Sequence, residues 1–285
     1  MILKTAIVAD TNSNLTPQMA EELDVKLIPM PFFIGGETYL EGSTCTHAMF
    51  FQKLRDGAEV FTSQPPPEQI THLWDLLLWD HDYILHFPMS SGLSGSCQTA
   101  KALAGDYDGR VLVVDDRRIS LTLMQSIRNA RTLLGQGTDP VQVRRILEEE
   151  SAQSSIYLAV NTLEYLRKSG RVTAAAAAMA AVLHIKPVLQ IQGGKLDAYK
   201  KARGMGQAKK LLIQALKEDL QTRFAGMKMA VYSGYTGGDP AYGEAWQREV
   251  QAAFPAYQVG LTNLPLSVCC HTGEGVLGVG CAKVW

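Results

Sequence analysis

The sequence predicts an α/β protein of two lobes, with a mainly parallel sheet in the N-terminal lobe and a smaller α/β C-terminal lobe. Three observations predict it. Short apolar, β-branched runs alternate with helical patterns from one end of the chain to the other, as strand–helix–strand units require. Pro17, Pro67 and Pro140 stand where helices would begin, a position that tolerates proline because its missing N–H has no intrahelical partner there. With 285 residues, 46% of them hydrophobic, the chain can bury one large core or two modest ones.

In chain order, strands are expected over residues 5–9, 25–33, 83–87, 111–114 and 156–160. A second set is expected over 186–191, 228–232, 258–261, 267–270 and 276–284. Helical patterns cover 67–78, 94–104, 121–134 and 141–151. Gly35-Gly36, between Phe32-Phe33-Ile34 and Thr38-Tyr39-Leu40, reads as a hairpin turn. No repeat and no low-complexity linker divides the chain. Beyond Val160 the strands crowd together, so the boundary is expected there, with lobes 1–160 and 161–285 and a ligand cleft between them.

The net charge of −1 gives no general attraction to nucleic acid or to anionic membranes. No apolar run reaches the ~20 residues of a membrane helix. The opening MILKTAIVAD lacks the apolar core and cleavage site of a secretory signal and reads as a core strand, so a cytoplasmic protein is expected. The five cysteines, Cys45, Cys97, Cys269, Cys270 and Cys281, form no C-x-x-C pair and read as reduced thiols rather than as metal ligands.

One segment points to chemistry by itself. Met89-Ser90-Ser91-Gly92-Leu93-Ser94-Gly95-Ser96 lies between a strand and a helix. Backbone N–H groups at a helix start, a favourable helix dipole and several hydroxyls make such a loop an anion site. A second hydroxyl pair, Thr62-Ser63, again precedes a helix. Arg171 follows a short amphipathic helix closed by Gly170, and a buried arginine needs an anionic partner. His271 stands in a glycine-rich stretch after an expected strand, where α/β proteins place site residues. Lys195, Lys200, Lys201, Arg203, Lys209 and Lys210, against Asp197 alone, read as a solvated helix face or as a docking patch. The chain has no P-loop, no H-E-x-x-H and no G-x-S-x-G. Gly273–Gly278 matches G-x-G-x-x-G but has no βαβ unit around it.

Together these pieces resemble the DegV family of bacterial fatty-acid-binding proteins. The resemblance runs over nearly the whole chain. It is carried by the Asp10 loop, Thr62-Ser63-Gln64-Pro65, Ser90-Ser91-Gly92-Leu93-Ser94-Gly95, Leu163-Glu164-Tyr165-Leu166-Arg167 through Gly170-Arg171, Ile185-Lys186-Pro187 and His271-Thr272-Gly273. It implies two α/β lobes holding an acyl chain in a tunnel, with no other cofactor. It implies that Thr62, Ser63, Ser90, Ser91, Ser94 and Gly95 contact the fatty-acid carboxylate, with Arg171 and His271 above it. It also implies a carrier, the acyl-bearing subunit of a bacterial fatty acid kinase in phospholipid metabolism. A separate ATP-dependent subunit would phosphorylate the bound carboxylate. The chain departs from the family pattern at Thr11-Asn12, where no ligand role is assigned. Ala174–Ala178, Ala180, Ala181 and Leu183 are expected to shape the tunnel. Two alternatives stay open: a sensor or carrier of another carboxylate, and a serine hydrolase using Ser94 and His271 with Asp10 orienting the histidine.

Overall fold

The computed structural model describes residues 3–179 and 185–285. Its N-terminal sheet consists of β1 (Thr5–Asp10), β2 (Val25–Ile28), β6 (Tyr83–Phe87) and β7 (Val111–Val113). The strand order is β2-β1-β6-β7 and every pairing is parallel. A parallel sheet is covered on both faces, and β1 is buried along its whole length. Its side chains alternate between two cores. Ile7 and Ala9 join the residues of α5 (Ser120–Gly135) and α6 (Pro140–Glu149). Ala6 and Val8 join Trp74 of α3 (Pro67–Leu77) and Cys97 of α4 (Ser96–Ala104). The proline starts are observed in α1 (Pro17–Glu22), α3 and α6, where Thr16 and Asp139 cap α1 and α6.

The run expected as one strand over 25–33 is two. Pro29 lacks the N–H that a ladder needs, and the chain re-forms as β3 (Pro31–Ile34) in a separate sheet. That sheet has the order β4-β3-β5, with β4 (Glu37–Leu40) and β5 (Val60–Thr62) on either side of β3. The β3–β4 hairpin turns at Gly35 and Gly36, both at positive φ. Helix α2 (His47–Arg55) packs Phe50 and Phe51 beneath it.

The third sheet has the order β10-β9-β8-β13-β11-β12. It comprises β8 (Ser154–Ala159), β9 (Lys186–Ile191), β10 (Leu196–Ala202), β11 (Met229–Tyr235), β12 (Gly260–Asn263) and β13 (Leu277–Lys283). Its pairings are antiparallel except β11 with β12. The boundary expected at residue 160 falls after β8, which is hydrogen-bonded to β13 and β9 of this sheet. The sheets therefore divide between α6 and β8. Helices α9 (Met205–Gln221) and α10 (Pro240–Ala253) cover one face through Ala208, Leu212, Leu216, Trp246 and Val250. The other face meets α2 and the short helices α7 (Glu164–Ser169), α8 (Ala174–Ala178) and α11 (Leu266–Thr272).

Residues 267–270, expected as a strand, lie within α11. Pro265 starts the turn, and its carbonyl accepts the N–H groups of Val268 and Cys269. Leu266, Cys269 and Cys270 then fall on one face and enter the core, a helical spacing that overrides the β propensity of Val268. The basic run is not a single helix face. Lys200 and Lys201 are exposed on β10, an edge strand where charge discourages strand addition, and the helix begins only at Met205. Among the described residues no helix is long and apolar enough to cross a membrane, and no three His, Cys, Asp or Glu side chains are grouped to hold a metal.

Candidate functional site

Segments far apart in sequence meet in a cavity of about 240 Å³ between the sheets. The end of strand β5 delivers Thr62 and the residue after it, Ser63; Thr62 is registered against Phe32, and Ser63 donates its N–H to the Pro31 carbonyl. The loop from β6 to α4 delivers Leu93, Ser94 and Gly95. Arg171 follows the left-handed Gly170 that closes α7. His271 comes from the last turn of α11, not from a strand end. Six of the eight expected ligand residues thus line one cavity: Thr62, Ser63, Ser94, Gly95, Arg171 and His271.

Ser90 and Ser91 lie elsewhere. Ser90 is buried; its hydroxyl accepts the Gly92 N–H (3.1 Å) and donates to the Gly194 carbonyl (3.0 Å). Ser91 lies against the Asp115 carboxylate, outside the cavity wall. The loop also consumes much of the donor supply expected of it. The Leu93 and Ser94 N–H groups donate to the Ser90 carbonyl, and the Ser96 N–H donates to the Ser94 hydroxyl. The loop is a shaped support that offers Ser94, rather than an open cradle of backbone amides. Its rigidity comes from contact with the turn between β9 and β10. A Cβ on Gly194, at φ +108°, would stand 2.9 Å from the Ser90 hydroxyl, and one on Gly92 would stand 2.5 Å from the Gly194 oxygen.

The electrostatics follow from burial. The His271 Nε2 lies 2.9 Å from the Thr62 hydroxyl, and its Nδ1 is buried without a partner. Burial, followed by the nearby Arg171 charge, lowers the His271 pKa to about 4, so the ring is neutral at pH 7. A neutral ring with its proton on Nε2 donates to Thr62 and leaves the threonine proton free for a ligand. Arg171 is partly buried and donates to the Ser169 carbonyl. Among the described residues no carboxylate pairs with it in the cavity. A guanidinium without a carboxylate partner, beside a neutral histidine and the Thr62 and Ser94 hydroxyls, suits an anionic oxygen ligand.

The hydrolase arrangement does not form. Asp10 accepts the Met89 N–H and faces His86, Oδ1 to Nε2 3.8 Å. His271 is bonded to Thr62, and the Ser94 hydroxyl accepts from the Ser96 N–H.

Beyond the polar cavity lies a second, apolar one of about 60 Å³. Leu93, Ile119, Leu196, Val268 and Thr272 line both, so the two cavities share a wall. Ile156, Leu158 and Gly234, Gly278 and Gly280 line the apolar space, where the glycines leave room above the six-stranded sheet. Ala174–Ala178 form α8, with Ala176 alone buried, and line neither cavity. Ala180, Ala181 and Leu183 lie outside the described residues.

The sequence reading missed several wall residues. Asn12 lies in a 3₁₀ turn (Thr11–Ser13) at the C-terminal end of β1 and is 1% exposed. Its signal was available: ligand residues gather at the C-terminal ends of parallel strands. Ser267 and Met30 carried no such signal.

The family model described as "Uncharacterised protein, DegV family" matches residues 4–284 of this chain. A DegV domain-containing protein of Listeria monocytogenes is 28% identical over 280 residues, covering 97% of each chain. A solved structure of a DegV family protein from Thermus thermophilus, described by its fatty acid binding, is 29% identical with a TM-score of 0.90. The match covers 99% of this chain and all of that one. A Thermotoga maritima protein, described as revealing fatty acid binding function, is 26% identical with a TM-score of 0.82 over 99% of this chain and 100% of its own.

Proposed function

The chain belongs to the DegV family, and from that premise we propose that it binds a long-chain fatty acid, with the carboxylate in the polar cavity and the tail in the apolar one. The observation that carries this reading is the shared wall. Leu93, Ile119, Leu196 and Val268 line both cavities, so a single ligand with a polar head and an apolar tail spans them. Thr62, Ser94 and Arg171 supply donors to an ionised carboxylate, His271 orients Thr62, and Ser63, whose hydroxyl donates to the Gln64 carbonyl, would have to turn to join them. Burying the tail contributes ~0.8 kcal/mol per CH₂. Ordering the chain offsets part of this. The solved Thermus and Thermotoga relatives, described as fatty acid binders, support the same ligand class.

The site is a carrier's rather than a hydrolase's, because the Ser94–His271–Asp10 relay is not assembled. The family resemblance extends the reading to presentation of the carboxylate to an ATP-dependent kinase subunit, which would form an acyl phosphate. Ser63 and Gly95 are exposed at the cavity, on the side from which such a partner would reach the head group. Lys200 and Arg203 are exposed beyond Leu196 and are the proposed docking charges. Normal kinase-dependent phosphorylation by a Lys200→Glu, Arg203→Glu variant would remove that docking role.

Native mass spectrometry of the purified chain tests the ligand. A copurifying long-chain fatty acid is expected. An empty protein, or a short polar acid, overturns the reading.

A further inference from the structure

Glu41 follows β4, outside the cavity wall, yet it is only 7% exposed. Its Oε1 accepts the Ser267 N–H (3.2 Å), and its Oε2 accepts the hydroxyls of Ser267 (2.6 Å) and Thr11 (3.3 Å). The Thr11 hydroxyl in turn accepts the Met30 N–H (2.9 Å). A hydroxyl carries one proton. While the Ser267 proton goes to Glu41, Ser267 Oγ can only accept from Asn12, whose Nδ2 donates to it at 3.2 Å. That leaves the other end of the carboxamide, Asn12 Oδ1, buried with no partner in a residue that lines the cavity. An orphaned acceptor is unfavourable beside an anionic ligand, which offers only acceptors.

We propose that Glu41 is a positioning residue for the head-group site: through Ser267 it sets which end of the Asn12 carboxamide is free, so that binding an anionic head group takes up a proton. The inference rests on the fatty-acid reading for its ligand. The proton comes from solvent and forms an O–H bond at Glu41 Oε2, which then donates to Ser267 Oγ. The Ser267 hydroxyl turns to donate to Asn12 Oδ1. The carboxamide rotates by half a turn, and Nδ2 becomes free to donate to the ligand oxygen. One negative charge and one proton enter together, so the charge of the buried site does not change.

The protonation is accessible near neutrality. Burial pushes the Glu41 pKa up to about 7, against the downward pull of hydrogen bonds from Ser267 and Thr11. The ionisable groups around it give no countercharge. On α11 they are the Cys269 and Cys270 thiols, both pushed up by burial, and then His271 in the last turn. At the end of β1, Asp10 is engaged by Met89 and faces His86. Arg171 stands in the cavity wall and donates to Ser169.

Isothermal titration of the delipidated full chain with myristate, in two buffers of different ionisation enthalpy, reads the proton directly. Uptake approaching one proton per ligand is expected at about pH 8, falling toward zero at about pH 6, with affinity dropping by up to roughly tenfold per pH unit above the Glu41 midpoint. Glu41→Gln, whose amide donates permanently to Ser267, should bind without that pH dependence and take up no proton. Ser267→Ala, which breaks the relay and leaves the carboxyl in place, should also lose the uptake. Wild-type binding without proton exchange at about pH 8, or undiminished uptake in Glu41→Gln, overturns the inference and leaves the fatty-acid reading intact. Failure of the wild type to bind myristate sinks the fatty-acid reading instead. The Asn12 side-chain amide resonance of the ligand-free protein then decides separately. It should shift with the Glu41 midpoint in the wild type and stay flat in Glu41→Gln; a flat wild-type resonance overturns the relay.

Discussion

The Thr62 hydroxyl and the His271 imidazole are held 2.9 Å apart although 209 residues separate them in the chain. Thr62 ends an edge strand of the three-stranded sheet, and His271 lies in the last turn of a helix packed against that same strand and against α7. Both side chains line the polar cavity, and their contact fixes one part of its wall.

The pair makes a claim about charge. Because burial lowers the His271 pKa to about 4, the ring should remain neutral throughout the physiological range. NMR of the imidazole nitrogens should show no titration of His271 between about pH 6 and 8. The sign for stability is set by the same shift. The neutral ring supports the fold above the ordinary histidine value of 6.5, and that support is lost as pH falls through about 4. A double-mutant cycle of Thr62→Val with His271→Ala should give a coupling of about 1 kcal/mol in ligand affinity. Additive losses would show that the contact does not serve binding.

Arg171 is the charged partner expected for the carboxylate. Arg171→Ala should weaken fatty-acid binding by roughly 10- to 100-fold, the range for a charge-assisted hydrogen bond. Melting temperature should change little, since the guanidinium is only partly buried. Arg171→Lys should restore only part of the affinity. An alanine variant that binds at wild-type strength would place the carboxylate elsewhere.

Leu196 lines both the polar and the apolar cavity. Leu196→Trp should fill the space at that shared wall. Displacement assays should then show long-chain acids lost and an acid of about eight carbons retained, because only the tail space is obstructed. Equal loss of both would mean that the head site itself had collapsed.

Gly194 lies in neither cavity wall but supports the loop that carries Ser94. At φ +108°, with a new Cβ 2.9 Å from the Ser90 hydroxyl, Gly194→Ala should cost on the order of 1–3 kcal/mol of stability by chemical denaturation. It should also weaken binding by moving Ser94. An unchanged denaturation midpoint would show that the loop is not clamped there.

Glu41 predicts a pH-dependent stability difference. Its pKa rises from 4.5 to about 7 on burial, so the wild type loses stability as pH climbs through that interval. Glu41→Gln does not ionise and should gain on the wild type across the same window, by on the order of 3 kcal/mol at its upper end. Parallel stability curves for the two proteins would refute the burial cost.

Local patterns carried much of this protein. The first strand, the helix-starting prolines, the Gly35-Gly36 turn and the Gly170 helix stop are readable because each depends on residues within a few positions of one another. The Thr62, Ser94 and Arg171 positions were legible as hydroxyls or a charge next to helix ends and His271 as a histidine after an expected strand, and the family resemblance gathered them. Residues 267–270 were misread because their β propensity is local, whereas the burial of Leu266, Cys269 and Cys270 that makes them helical is not. The same holds for Ser90, a hydroxyl whose task is set by Gly194 across the fold. Glu41 offered no local pattern at all; only when Thr11 and Ser267 converge on it does a surface-like glutamate become a buried acid, with Asn12 reached through Ser267. The sequence by itself determined which groups could bind an acid head and an apolar tail. Tertiary structure alone decided which of them share a cavity and which shifted ionisations they carry, because solvent exclusion and hydrogen-bond direction belong to distant segments packed together.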